Sequence, residues 1–288
     1  MKRATTFLSL LALSAGLLAQ SSVKTERQYL SGRGCDDMVQ WDFMCTGGNN
    51  SGKWTKIGVP SCWELQGFGT YQYGMKFYGK AFPEGVADEQ GLYKYEFELP
   101  AEWNGKQIEL VFEGSMTDTQ VKINGRKAGS MHQGAFYRFI YNVSDRVFFG
   151  SKKKNVLEVT VSKESANAGV NLAERRADYW NFGGIFRPVF IVAKPAQNID
   201  RLAIDAKADG NFYADCFLNM AVEGARVHTV ITDAKGKKVA ENTSDVRIRL
   251  PLPCLIKQAK HCMLKIRNLV SVPLKHVKVT DCISTVGV

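Results

Sequence analysis

Among the seven cysteines there is no C-x-x-C pair, and the four histidines, His132, His228, His261 and His276, lie far apart in the chain. Close spacing of ligands marks a structural zinc or a redox site, so no metal centre is expected and no cofactor is assigned to this chain. Long apolar runs are lacking too: Phe7–Leu18 is shorter than the roughly 20 residues that a bilayer-crossing helix requires. Helical periodicity is nearly absent and no βαβ alternation occurs, which excludes a doubly wound sheet and a (β/α)8 barrel from this frame.

What is there begins with a secretory signal. Basic Lys2 and Arg3 precede the apolar run, and Ala19-Gln20-Ser21 offers small residues where a signal peptidase reads. Residues 1–21 are therefore expected to be a signal peptide and the mature chain to be secreted or periplasmic; no Cys follows the run, so no lipid anchor is expected. In an oxidising compartment Cys35, Cys45 and Cys62 either form a disulfide or remain small buried thiols.

The formal charge is +10, from 38 Lys and Arg against 28 Asp and Glu. Its location decides its meaning. In residues 251–288 Lys257, Lys260, Lys265, Arg267, Lys275 and Lys278 face Asp281 alone, and Lys2 and Arg3 leave with the signal, so the remainder is nearly balanced. A balanced body lacks the basic face that nucleic acid demands, and no nucleic-acid partner is expected.

From Trp41 to Val192 short apolar or alternating runs are separated by Gly, Asn, Pro and charged turns, the pattern of an antiparallel β-sandwich. Leu92–Leu99 alternates strictly, with Tyr93, Tyr95, Phe97 and Leu99 on one side. Further strands are expected at Ile108–Phe112, Gln120–Ile123, Val156–Val161 and Val189–Ala193, and Asn124-Gly125 is a strong hairpin turn signal. Pro195 ends this set. A second begins with Arg201–Asp205, Cys216–Val222, Arg226–Thr232 and Val246–Leu250, with Asp233–Gly236 as a hairpin turn. The expected fold is all-β: a jelly-roll, galactose-binding-like sandwich over 22–195, followed at 196–250 by an incomplete immunoglobulin-like sandwich, which needs about seven strands in about a hundred residues.

Six segments occur in a telling order: WTKIGVPSCWELQGFG at Trp54–Gly69, GLYKYEF at Gly91–Phe97, Phe112-Glu113-Gly114, VKING at Val121–Gly125, NVLEVTV at Asn155–Val161, and YWNFGGIFRP at Tyr179–Pro188. Together they resemble the N-terminal sugar-binding domain of family 2 glycoside hydrolases of the β-galactosidase type, over roughly Trp41–Ile204. The resemblance implies that Asp178, two residues before Trp180, contacts a substrate hydroxyl or a bound cation of the complete active site; the open alternative is a solvated loop carboxylate. The family's asparagine in the G-[FY] region is replaced here by the run Tyr71-Gln72-Tyr73-Gly74, and Tyr73 joins Asp178 and Trp180 as a candidate sugar contact. His132, in the polar and aromatic loop His132–Arg138, is the fourth candidate; that loop suits a sugar site or a strand edge equally. Trp63 and Trp180 either fill the core or stack on a sugar. Gly183 and Gly184 permit a tight backbone, and Arg187 is expected to pair with Glu113 or Asp178.

Beyond about Leu250 the resemblance stops. Codons permitted for Leu269–Val286, read in the frame one base earlier, yield FGFRTIETRQGDGLYING, which resembles the family's junction into its catalytic barrel. Residues 251–288 are accordingly read as an out-of-frame tail. The resemblance implies an N-terminal fragment of a secreted retaining glycosidase acting on a β-galactoside-like carbohydrate, with β-glucuronide and β-mannoside enzymes as near relatives. No residue here is assigned a catalytic role, and the fragment alone is expected to be inactive. The alternative from another class is a freestanding, non-catalytic carbohydrate-binding module.

Overall fold

The computed structural model describes residues 24–74, 89–206, 211–220, 226–232, 236–245 and 263–269. They fall into two units, 24–194 and a second that starts at Pro195. The fold is all-β, with one short α-helix among the described residues.

The first unit holds β1 (Glu26–Tyr29), β2 (Val39–Cys45), β3 (Thr55–Val59), β4 (Gln72–Tyr73), β5 (Gln90–Phe97) and β6 (Gln107–Phe112). It continues with β7 (Asp118–Ile123), β8 (Arg126–Lys127), β9 (Phe139–Asn142), β10 (Asn155–Ser162), α1 (Ala168–Glu174), β11 (Trp180–Asn181) and β12 (Val189–Lys194). One sheet has the order β1-β12-β6-β9, the other β3-β2-β5-β10-β7-β8, and β4 pairs with β11 as a separate ribbon. Every pairing is antiparallel.

Alternation explains the core. On β5 Tyr93 and Phe97 point inward while Lys94 and Glu96 stay in water, and on β10 Leu157, Val159 and Val161 are buried between half-exposed neighbours. These side chains meet Ile108, Leu110, Phe112, Val189 and Ile191 of the opposite sheet in one cluster that includes Trp41, Phe43 and Trp63. Burying such side chains contributes about 1.5–3 kcal/mol each, which makes the cluster the main source of stability. Asn124 and Gly125 both adopt positive φ, 53° and 76°, and close the β7–β8 hairpin at the expected turn.

The second unit has β13 (Ile199–Ala206), β14 (Asn211–Leu218), β15 (Arg226–Thr232), β16 (Lys238–Asp245) and β17 (Met263–Leu269). The order β13-β14-β17 forms one sheet and β15-β16 another, with Cys216, Leu218 and Val227 buried together. Two differences from the sequence reading stand out. The strand expected at Cys216–Val222 begins earlier, at Asn211, and β16 occupies a stretch with no strong apolar alternation. Within 251–288 a strand lies at Met263–Leu269, where Leu264 and Ile266 alternate with Lys265 and Arg267, and it pairs with β14. The expected strand Val246–Leu250, residues 233–235 of the expected turn, the signal and the rest of the tail lie outside the described residues.

Candidate functional site

Period two along Tyr71-Gln72-Tyr73 sends the two tyrosines to one side and Gln72 to the other. Gln72 is buried and donates to Glu164 Oε1 at 3.0 Å. On the opposite side Tyr73 is cross-strand partner to Trp180, their ring centroids 5.2 Å apart at 71°. Tyr71 meets the same indole edge-on, 6.0 Å away at 90°. The Tyr73 hydroxyl donates to Asp178 Oδ1. The result is an open aromatic platform with one carboxylate at its edge; Trp180 is 52% exposed and Tyr71 54%.

The platform is held from beneath. Helix α1 is capped by Asn167, whose Oδ1 accepts from the Gly169 and Val170 N–H groups, and it delivers Arg175 and Arg176 to the start of the Asp178 loop. Arg176 makes a bidentate pair with Glu164, both contacts 2.9 Å, and this pair with its hydrogen bonds holds the Glu164 carboxyl below its usual range although burial opposes it. Fully buried Arg175 donates to the Phe182 carbonyl at 2.6 Å, and its own carbonyl accepts from Asn181 Nδ2 at 2.8 Å. Gly74 N–H donates to the Tyr179 carbonyl, 2.8 Å, tying the two strands of the ribbon past their ends.

Below Gly183 the chain is clamped on both sides. Its carbonyl accepts from the Trp63 N–H at 3.0 Å, and its N–H donates to the Glu64 carboxylate at 3.0 Å. Burial pushes the Glu64 carboxyl up, against the pull of Lys163 and the Gly183 N–H. Lys163 Nζ reaches Glu64, Glu89 and the Thr70 carbonyl, while Glu89 Oε1 accepts from Trp63 Nε1 at 2.7 Å. The segments around Trp63, Thr70, Glu89, Lys163 and Gly183 are thus joined through one buried ammonium.

Of the four residues singled out from the sequence, the structure brings Tyr73, Asp178 and Trp180 together. His132 sits elsewhere: it stacks on Phe139 with centroids 3.9 Å apart, bonds through Nε2 to the Gly134 carbonyl at 2.9 Å, and pairs through its backbone with Thr119. Tyr71 was missed, although its spacing of two from Tyr73 carried the signal. The two tryptophans divide the alternatives: Trp63 is core and Trp180 is platform. The expected pairing of Arg187 with Glu113 or Asp178 is corrected. Glu113 is taken bidentately by Arg138, both contacts 2.8 Å, Asp178 takes Tyr73, and Arg187 lies 5.1 Å from the Phe186 ring centroid. The guanidinium found a flat ring beside it in sequence, and Arg138 reached the carboxylate with better fork geometry.

Cys35 is exposed, Cys45 buried and Cys62 half-buried, all three free thiols; burial pushes Cys45 up to about 11 and Cys62 to about 12. Among the described residues no three of His, Cys, Asp and Glu gather as a metal site would require, and Asp178 alone does not make one. Nor is any helix among them long and apolar enough to cross a membrane.

Residues 49–195 match the model of the sugar binding domain of glycosyl hydrolases family 2. A β-galactosidase of Lactobacillus delbrueckii subsp. bulgaricus is 27% identical over 66% of this chain and 19% of its own length. A putative β-glucuronidase of Formosa agariphila is 23% identical over 69% of this chain and 24% of its own. The chain therefore spans about a sixth to a quarter of the length of the curated relatives it matches. Among solved structures, a calcium binding mutant of Bacteroides uniformis β-glucuronidase 2 superposes with a TM-score of 0.61 at 17% identity, covering 86% of this chain and 28% of the other. A family 2 member from Bacteroides cellulosilyticus superposes with a TM-score of 0.58, also at 17% identity, covering 86% of this chain and 32% of the other. At such identities these two likenesses speak to the fold alone.

Proposed function

The chain belongs to glycosyl hydrolase family 2, and we propose that its platform of Tyr71, Tyr73 and Trp180, with Asp178 at the edge, holds a sugar ring for a retaining glycosidase exported from the cytoplasm. The observation that carries the reading is the Tyr73–Asp178 hydrogen bond beside a half-exposed Trp180. An indole packs against the C–H face of a pyranose, and a fixed carboxylate accepts from its hydroxyls, the few placed polar groups that give a mostly apolar site its orientation. By donating to one oxygen of Asp178, Tyr73 restricts its rotation, so less freedom is lost when sugar binds.

Hydrolysis with retention needs two carboxyl groups about 5–5.5 Å apart, one as acid/base and one as nucleophile. We assign neither to this chain, whose part is to bind and orient. A cation at the complete active site would have to draw most of its ligands from outside the described residues. The substrate class proposed is β-galactoside-like, from the β-galactosidases among the curated relatives. Screening the whole chain on a glycan array tests this: terminal β-galactosides should be retained above β-mannosides, and Trp180→Ala should abolish retention of the β-galactosides. Retention unchanged in Trp180→Ala would move the site elsewhere.

A further inference from the structure

The outer face of the six-stranded sheet carries one transverse row of charges, a residue from each strand: Lys56, Asp42, Lys94, Glu158, Lys122 and Lys127. Two ion pairs use up four of them, Lys56–Asp42 at 2.6 Å and Lys94–Glu158 at 3.7 Å. The other two, Lys122 and its cross-strand partner Lys127, have no ion pair among the described residues. The neighbouring row, Leu92, Thr160 and Gln120, is uncharged. Trp54 stands at the end of this patch opposite Lys122, its ring 47% exposed and 5.1 Å from Lys94 Nζ. Of these, Trp54, Leu92, Lys94, Thr160, Gln120 and Lys122 help to line an open depression of about 170 Å³.

A flat ladder of strands with paired charges is an ordinary solvated face. Three features depart from that: a tryptophan half in water, a concave surface beneath it, and two lysines left over at the far side. An apolar wall with a few convergent polar groups is the make-up of a small-molecule site. From the strand of Lys94 to that of Lys122 is two interstrand spacings, about 10 Å, room for two linked sugar rings.

We propose that this face binds a short acidic oligosaccharide, one ring packed on Trp54 and Leu92, the hydroxyls met by Thr160 and Gln120, and the carboxylate of the adjoining sugar on Lys122. A neutral sugar would leave Lys122 without a role; a carboxylate pairs with it while Lys94–Glu158 stays intact. This site is separate from the Asp178 platform and does not depend on it.

The test is isothermal titration of the whole chain with a tetrasaccharide of alternating glucuronate and N-acetylglucosamine, and with neutral cellotetraose. The acidic tetrasaccharide should bind tighter and weaken as salt rises. Both Trp54→Ala and Lys122→Gln should lower its affinity about tenfold, the change expected for losing a contact of about 1.4 kcal/mol. Both positions are exposed, so matching thermal melts would show the variants folded. No binding of the acidic tetrasaccharide, equal binding of the neutral one, or undiminished binding in either variant would overturn the proposal.

Discussion

Lys163 Nζ lies 2.6 Å from Glu64 Oε1, and both side chains are fully buried. Glu64 in turn holds the Gly183 N–H, so the ion pair fixes the backbone that leads to Trp180 and Asp178. Removing one member of a buried pair leaves the other's charge uncompensated, a loss of about 3–5 kcal/mol. Lys163→Met should therefore lower unfolding free energy by that order, and Glu64→Gln combined with it should recover part of the loss. Urea denaturation of the two single variants and the double variant measures this, and additive effects would contradict coupling.

The fit of Gly183 against Trp63 is equally tight. A Cβ at 183 would lie 2.1 Å from Trp63 Cζ2, with the indole enclosed by the core. Gly183→Ala should cost about 1–3 kcal/mol through overpacking. A lowered thermal midpoint checks it, and Trp63→Phe, which opens space on the indole side, should lessen the further loss on adding Gly183→Ala.

How much of this was visible beforehand differs from element to element. Strands such as Leu92–Phe97 were legible because a half-buried strand must alternate, and Asn124-Gly125 because positive φ at two successive residues restricts the choice of side chain. The resemblance singled out Asp178 and Trp180, and the structure brings both against Tyr73; Tyr71 could have been placed beside them from its spacing to Tyr73. The Lys163–Glu64 pair could not. The two residues are far apart in sequence, and only folding places them together, so no local pattern announces them. The partner of Arg187 was not legible for the same reason: Glu113 lies far from it in sequence, and only folding decides that Arg138 reaches that carboxylate. Strand β16 was invisible because KVAENTSD has too few apolar residues to show a period.

Half-buried His132 has its pKa lowered from the ordinary 6.5, chiefly by desolvation, which the Gly134 carbonyl and the charges of Asp118 and Glu174 offset only in part. The unfolded chain then binds more protons than the native one just below pH 6.5, so stability falls as pH drops through that window and is fully present above it. Glu64 acts oppositely, its raised pKa favouring the protonated native state as pH falls toward 4.5. Urea melts of the wild type and His132→Gln between about pH 5 and 7 separate the two. The wild type should lose stability relative to the variant on acidification; parallel curves would contradict the assignment.

For residues 251–288 we propose a displaced reading frame. Sequencing the gene from codon 240 onward should show the frame one base earlier continuing through a segment like FGFRTIETRQGDGLYING into a barrel with two glutamates. Stop codons soon after that segment would make the basic tail genuine protein.

Fluorotryptophan NMR tests the platform most directly, because the five tryptophans divide by environment. Trp41, Trp63 and Trp103 are buried, whereas Trp54 and Trp180 are exposed. On titration with methyl β-galactoside the resonance that disappears in Trp180→Phe should shift progressively to saturation, while those of Trp41, Trp63 and Trp103 stay in place. A Trp180 resonance that does not move while the sugar binds elsewhere, or at all sugar concentrations, would contradict the account.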